Sequence, residues 1–352
     1  MSQNKQRVLD SHVHLWPRET ANHSCHAWMP PSLIGKAREP AQYLDIVQGA
    51  GNNDSAFEVQ GLVFVETDVR YGTPNGDISA WTRGPLDEIS YLRGIVEGQQ
   101  GEKVSDKIKG IVPWAPMTSS PSILEEYLQL ARARAGEETW KRVKGFRFLL
   151  QSIRDPKTFI AVVQSDDFIT NLKTLGRQGF SFDVGVDQRS GGIWQLNSMA
   201  VAMKMAHMDV EDEAKVTFVV NHMCKPNFSP SDTEFRDWEL AMCLMSTTAR
   251  TYIKLSGAFS ELSQQQLALT PSALAKQLRP WLRHLFGTFG ESRILFGSDW
   301  PVCNLPRPYA KDSWVSWKHV VASVLDDDEY LLSDEDKDQI WYKNAEEAYR
   351  LR

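Results

Sequence analysis

The sequence predicts an α/β protein, a single (β/α)₈ barrel of the TIM type that spans residues 1–352. Three observations lead to this prediction. Short apolar, β-branched segments recur eight times, successive segments begin 35 to 53 residues apart, and amphipathic helical patterns lie between them. A chain of 352 residues also falls within the size range of such barrels, from about 250 to more than about 400 residues.

Each of the eight segments is typical of a parallel strand that is buried on both faces. In chain order they are residues 8–14, 61–66, 108–115, 143–150, 180–186, 215–222, 251–257 and 293–299. Residues 121–135 and 234–249 show helical patterns in the intervals. The long segments 15–60 and 67–107 follow the first and second strands. We therefore expect two long loops on the C-terminal face, where barrels of this type place their active sites.

Ionisable residues lie at the ends of several predicted strands. His12 and His14 flank Val13 in the first strand, so they share a face and their Cα atoms lie roughly 7 Å apart. Alone, each residue also has a structural explanation; Asp299, for example, could cap the turn before Pro301. Buried charges are costly unless they are paired or bound to a ligand, so several at one rim favour a functional site. The other members of this rim are Glu66, Arg147, Asp183 and His222.

Four stretches of the chain resemble a known family. They are DSHVHLW in the first strand, VNHMCKP at the sixth, YIKLSGAFSE at the seventh and ILFGSDWPV at the eighth. Together they resemble the amidohydrolase superfamily and, within it, the amidohydrolase-2 group of sugar lactonases. The resemblance implies a hydrolase of sugar-acid (carbohydrate) catabolism that opens an aldonolactone, such as L-rhamnono-γ-lactone, to the free acid.

The resemblance also implies a metal centre at the strand ends. We expect one divalent ion, with zinc as the first choice of metal. His12 and His14 would hold it, Asp299 would lie near it, and Glu66 or His222 would be further ligands. Members of the superfamily with two metal ions use a carboxylated lysine at the end of the fourth strand. Here that strand has Lys144 at its start, which argues against a second ion. A mechanism without metal remains an alternative at this point.

The chemistry of lactone opening suggests a role for each residue of the rim. A water must lose a proton near neutral pH, and the ring oxygen must receive one as it leaves. We expect Asp299 to act first as general base and then as general acid, while His222 holds the carbonyl oxygen or the water. Arg147 suits a sugar hydroxyl or a lactone oxygen, but it could instead form an ion pair with Asp183. Lys254 is left out of the catalytic set because it can equally face the helices.

Aromatic residues in the loops suggest a carbohydrate substrate. Trp28 and Trp300 follow the first and eighth strands, and tryptophan rings can stack on the C–H faces of sugars. We therefore expect Trp28, Trp300 and Asp183 to contribute to substrate binding together with Arg147. The alternative is that the tryptophans only pack long loops onto the barrel.

Composition narrows the classes of partner. The net charge of −6 and the lack of a basic run argue against nucleic acid and acidic membranes as partners. No stretch reaches eighteen apolar residues, and the four scattered cysteines form no CxxC pair. We therefore expect a cytoplasmic enzyme with reduced thiols and a small-molecule lactone as its partner; a homo-oligomer is compatible with the sequence.

Two other functions remain open from the sequence. The first is a metal-dependent decarboxylase of the same superfamily, which would release carbon dioxide from an aromatic or unsaturated acid. The second is a barrel that binds a ligand without catalysis, although the intact His12, His14 and Asp299 argue against it. A metal-independent lactonase that acts on another lactone is a variant of the main hypothesis.

Overall fold

The computed structural model describes residues 5–48, 56–305 and 313–351. Eight strands alternate with helices along this part of the chain. The strands are β1 (Gln6–Val13), β2 (Phe57–Val65), β3 (Ile108–Val112), β4 (Gly145–Arg147), β5 (Ser181–Val184), β6 (Thr217–Val220), β7 (Thr251–Leu255) and β8 (Ile294–Phe296). All eight strands overlap the predicted segments, so the predicted α/β class with parallel pairing is confirmed.

The α-helices lie mostly between consecutive strands. They are α1 (Pro40–Gln48), α2 (Ile78–Trp81), α3 (Arg83–Val96), α4 (Glu102–Ser105), α5 (Pro121–Trp140), α6 (Pro156–Val163), α7 (Asp166–Arg177), α8 (Ile193–His207), α9 (Asp232–Ser246), α10 (Gln264–Leu267), α11 (Pro271–Phe289), α12 (Ser313–Leu325), α13 (Asp334–Asp338) and α14 (Asn344–Ala348). None of these helices combines the length and the apolar character that crossing a bilayer requires.

The strands form two parallel sheets instead of one continuous ring. The first has the order β1-β2-β3 and the second the order β4-β5-β6-β7-β8. Between β3 and β4 the bridges Ile111–Val143 and Trp114–Arg147 flank Pro113, which has no N–H group to donate to a ladder. The neighbouring Arg147 N–H still donates to the carbonyl of Pro113 at 2.9 Å. Proline therefore interrupts the pairing at this edge.

The other two sheet edges meet beside the predicted rim of ionisable residues. The N–H of Asp299 donates to the carbonyl of His12 at 2.9 Å, and the N–H of His14 donates to the carbonyl of Trp300 at 2.8 Å. These two hydrogen bonds join the end of β1 to the segment that follows β8. Four of the predicted site residues, His12, His14, Asp299 and Trp300, are therefore held together by backbone pairing.

Two apolar cores lie on opposite faces of the strands. The larger one packs the helices against the outer strand faces. The smaller one lies between the two sheets and is closed by residues from the C-terminal end of the chain. Its buried members are Leu9, Val63, Val65, Val112, Val219, Tyr252, Leu295, Ala345, Ala348 and Tyr349. The strands are therefore buried on both faces, as the sequence predicts for parallel strands.

Candidate active site

A cavity of about 160 Å³ opens at the C-terminal ends of the strands. Its lining includes charged or polar residues that lie at the ends of β1, β2, β4, β6 and β8 or in the segments that follow them. Among them are His14, Asp68, Arg147, Asn221, His222 and Asp299. The strand ends thus bring together side chains that are up to 285 positions apart in the sequence, between His14 and Asp299.

Three imidazoles surround one carboxylate beside this cavity. The Oδ1 atom of Asp299 lies 3.4 Å from Nε2 of His14 and 3.8 Å from Nε2 of both His12 and His222. The two Nε2 atoms of His12 and His14 are 3.2 Å apart. All four side chains are buried. The structure therefore places these four predicted site residues in one cluster.

The other ring nitrogen of each histidine also has a partner. Nδ1 of His14 lies 2.8 Å from the carbonyl oxygen of Val65, and Nδ1 of His222 lies 2.9 Å from Oγ of Ser256. Nδ1 of His12 lies 3.1 Å from Nζ of Lys254. These contacts orient the rings so that the three Nε2 atoms point toward Asp299.

The backbone that carries His222 adopts an unusual conformation. Four successive residues after β6, from His222 to Lys225, have φ angles of 55°, 54°, 59° and 48°. This left-handed conformation costs roughly 1–2 kcal/mol per non-glycine residue, so the surrounding packing must stabilise it. Part of that packing is Gly257, where a Cβ atom would lie 2.5 Å from Nδ1 of His222. The absence of a side chain at Gly257 therefore leaves room for the imidazole.

Burial changes the protonation of the cluster. It lowers the pKa of His12 well below its ordinary value and lowers the pKa of His222 to about 3. Burial also opposes the charge on Asp299, yet the pKa of this carboxyl is lowered because His222 and His14 lie beside it. At neutral pH the cluster thus combines an ionised carboxylate with neutral His12 and His222. Such groups can accept a proton from water or bind a cation.

The donor atoms have the spacing of a metal site. The two Nε2 atoms of His12 and His14 are 3.2 Å apart, and each of the three Nε2 atoms lies 3.4–3.8 Å from Oδ1 of Asp299. Ligands of tetrahedral zinc, with bonds of about 2.0–2.2 Å, lie roughly 3.3 Å from one another. Among the described residues, His12, His222 and Asp299 also form a group whose donor atoms all lie within 4.8 Å of one another. The residues present therefore fit one divalent ion.

Glu66, which the sequence suggests as a further metal ligand, has other partners. Its Oε1 accepts a hydrogen bond of 2.5 Å from Nε of Arg147, and its Oε2 accepts one from the N–H of Asp68. Nη2 of Arg147 also donates to the Glu66 carbonyl at 2.6 Å. Arg147 is thus the partner of Glu66. The alternative ion pair between Arg147 and Asp183 does not form, because Asp183 instead accepts from Lys254 at 2.7 Å.

The remaining predicted substrate contacts divide into two groups. Trp28 lines the cavity and its Nε1 donates to the Thr67 carbonyl at 2.7 Å. Asp183 is fully buried and accepts hydrogen bonds from Lys254 and Tyr349. Trp300 is 2% exposed and packs edge-on against Tyr43. Of these three predicted contacts, only Trp28 lies on the cavity wall.

Three residues that the sequence analysis did not assign lie at the site. Lys254 contacts His12, and the alternation of β7 could have indicated this, because Ile253 and Leu255 pack in the outer core on the opposite face. Asp68 lines the cavity, and burial together with the Glu66 carboxylate raises its pKa to about 7. Asn221 lines the cavity too, and no signal in the sequence distinguished it.

Comparison with known proteins finds relatives in one family. The sequence pattern of the amidohydrolase family matches residues 199–351. Over 362 aligned positions the chain is 29% identical to an L-rhamnono-gamma-lactonase of Scheffersomyces stipitis, covering 99% of each chain. It is 27% identical to an L-fucono-1,5-lactonase of Burkholderia multivorans, covering 78% of this chain and 80% of that relative.

Solved structures extend the comparison to the fold. A crystal structure of an amidohydrolase from Burkholderia multivorans with bound zinc superposes with a TM-score of 0.70 at 22% identity. The match covers 98% of this chain and 99% of that one. The chain is thus similar in sequence to the amidohydrolase family over its C-terminal strands, and its fold is similar to that of a solved amidohydrolase over nearly its whole length.

Proposed function

We propose that this protein is an amidohydrolase that opens a sugar-acid lactone, an aldonolactone such as L-rhamnono-γ-lactone, to the free acid. The observation that carries the proposal is the buried Asp299 carboxylate, which faces three imidazole Nε2 atoms beside the cavity. Full-length similarity to a protein named L-rhamnono-gamma-lactonase supports the choice of substrate class. Ester opening requires a general base next to an oriented water, and Asp299 meets this requirement.

We also propose that residues 1–352 form one barrel domain. Hydrogen bonds join the two sheets at both pairs of edges, between β3 and β4 and between β1 and the segment after β8. Within each sheet the strands lie in sequential order, as a (β/α)₈ barrel requires. The small core between the sheets would then be the interior of that barrel.

The proposed cofactor is one divalent ion, and zinc is the first choice of metal. His12, His14, His222 and Asp299 would hold it, whereas both oxygens of Glu66 already have partners. Bound there, the ion would polarise the lactone carbonyl and lower the pKa of water toward about 7. The zinc bound to the structural relative from Burkholderia multivorans supports the choice of metal.

The residues of the chain would carry the proton transfers. Asp299 takes the proton from the attacking water and returns it to the ring oxygen as that oxygen leaves. Nε2 of His222 lies 3.8 Å from Asp299 and has one free lone pair, so neutral His222 holds the water or the carbonyl oxygen only when it is not a ligand of the ion. Arg147 and Trp28 contact the sugar at the cavity wall. Asp183 and Trp300 are both buried, so they pack beneath the site and do not contact the substrate.

The charge of the cavity suits a neutral, hydroxylated substrate. The cations at the site are already paired with carboxylates: Arg147 with Glu66, Lys254 with Asp183, and Lys225, which lines the cavity, with Glu261. An acid with several carboxylates would therefore find little uncompensated positive charge. The amide of Asn221 lines the cavity, and neither of its polar atoms has a hydrogen-bond partner within the described ranges. A sugar hydroxyl, which both donates and accepts, would satisfy such an amide.

The test is a panel of lactones with acid release followed by a pH indicator, run on enzyme whose metal content has been measured. We expect an aldonolactone to be hydrolysed, and Asp299→Asn to lower kcat by about 10²-fold or more while the protein stays folded. The control is Asp87→Asn, which changes an exposed carboxylate on α3. Wild-type enzyme that opens no lactone in the panel, or Asp299→Asn with normal turnover, would contradict the proposal.

A further inference from the structure

Lys254 forms a buried chain of hydrogen bonds that ends at the metal-binding cluster. Its Nζ lies 2.7 Å from Oδ2 of Asp183 and 3.1 Å from Nδ1 of His12. The hydroxyl of Tyr349 donates to Asp183 at 2.9 Å. The side chains of Lys254 and Asp183 are both 0% exposed. Nothing in the proposed reaction explains why a buried lysine contacts His12.

The contact determines which nitrogen of His12 carries hydrogen. An ammonium group paired with a buried carboxylate has three donors and no lone pair, so Lys254 must donate to His12. Nδ1 of His12 therefore accepts, and the single hydrogen of the neutral ring lies on Nε2. His14 has the opposite arrangement, because its Nδ1 faces the carbonyl oxygen of Val65 and must be the donor.

The two tautomers complete one directed chain of hydrogen bonds. Lys254 donates to Nδ1 of His12, Nε2 of His12 donates across 3.2 Å to Nε2 of His14, and Nδ1 of His14 donates to Val65. In this arrangement His12 presents an N–H to the cluster. A metal ligand must instead present a lone pair, so the arrangement disfavours binding of an ion through His12.

We propose that Lys254 is a positioning residue that fixes the Nε2–H tautomer of His12 and thereby weakens divalent-metal binding at the cluster. This inference rests on the proposed site, but it does not require that the substrate be a lactone. Its consequence is that Lys254 sets the balance between an ion-bound cluster and a hydrogen-bonded one.

The variant Lys254→Gln tests the proposal directly. A glutamine amide can donate to Asp183 with its NH₂ group and accept from Nδ1–H of His12 with its oxygen. The substitution thus keeps the partner of the buried carboxylate and permits the other His12 tautomer. Lys225→Gln is the matched control, because it also removes a positive charge close to Asp299 and no hydrogen bond joins Lys225 to His12 among the described contacts.

Two measurements follow on protein stripped of metal by a chelator. Two-bond ¹⁵N–¹H correlation spectra of ¹⁵N-histidine-labelled protein report each tautomer, and the His12→Asn variant assigns the signal. We expect Nε2–H for His12 in the wild type and in Lys225→Gln, and Nδ1–H in Lys254→Gln. Zinc titration against a chromophoric chelator should show affinity at least about 10-fold higher in Lys254→Gln than in Lys225→Gln.

Several results would overturn the proposal. One is a wild-type His12 with Nδ1–H, and this result does not depend on either glutamine variant. Another is equal zinc affinity in the two glutamine variants, because the effect would then be one of charge alone. Neither readout uses lactonase activity. An enzyme that hydrolyses no lactone would therefore contradict the proposed function and leave this inference intact.

Discussion

Replacement of Arg147 by methionine should destabilise the protein strongly, because it leaves a buried carboxylate without its ion-pair partner. The side chains of Arg147 and Glu66 are 5% and 0% exposed, and Nε lies 2.5 Å from Oε1. Methionine preserves much of the volume, but among the described residues the Glu66 carboxylate then keeps a hydrogen bond from the N–H of Asp68 alone. Removing one member of a buried pair costs about 3–5 kcal/mol.

The expected shift in Tm follows from the size of the chain. About 1 kcal/mol corresponds to roughly 2–4 °C in a domain of 150–250 residues, and to less in a longer one. Arg147→Met should therefore lower Tm by about 5–10 °C. Arg93→Met is the control, since Arg93 and Glu97 form an exposed pair at 2.6 Å. An exposed pair on one helix contributes only about 0.3–0.5 kcal/mol.

A double variant separates the ion pair from substrate binding. Adding Glu66→Gln to Arg147→Met removes the unpaired charge, so most of the lost Tm should return. Arg147 also lines the cavity, and loss of a charge-assisted hydrogen bond to substrate would lower kcat/KM by about 10- to 150-fold even in the restored protein. The assays are thermal denaturation followed by circular dichroism and lactone hydrolysis per folded molecule. The reasoning fails if Arg147→Met melts within about 1 °C of Arg93→Met.

Two further predictions concern pH and the backbone at the site. Burial and the nearby Glu66 carboxylate raise the pKa of Glu88 from 4.5 to about 8. The folded state then binds the extra proton, so this contribution to the free energy of unfolding is complete below pH 4.5 and is lost as pH rises toward 8. In Glu88→Gln the free energy of unfolding, measured by urea denaturation across this pH range, should fall less with rising pH. Asp87→Asn, which changes an exposed carboxylate, should leave the fall unchanged. Equal pH profiles for the two variants would contradict a raised pKa at Glu88. Gly257 and Gly290 have φ angles of 64° and 68°, and only a Cβ at Gly257 would meet another residue. Gly290 has a ψ of 170°, a conformation that is essentially restricted to glycine, so Gly290→Ala should cost about 1–3 kcal/mol of stability. Gly257→Ala should in addition displace the imidazole that follows β6 and lower kcat by at least about 10-fold. Similar kinetics in both variants would argue against that displacement.

The sequence alone was sufficient to locate the strands. Each predicted segment overlaps a strand of the structure, because parallel strands buried on both faces need continuous apolar runs, and such runs are a local property of the chain. The order of the strand ends also brought His12, His14, His222 and Asp299 to one place. This followed from topology, since the carboxyl ends of parallel strands lie at the same edge of a sheet.

The partners of each charged group were decided only by the tertiary structure. Arg147 and Asp183 pair along neighbouring strands in the register, yet their side chains bind Glu66 and Lys254. Alternation along a strand states which face a side chain occupies, but which atoms meet across the interior depends on how the sheets twist and approach. The sequence therefore predicted the histidines and Asp299 of the cluster. It did not predict the contact between Lys254 and His12, because this contact depends on packing between residues 242 positions apart.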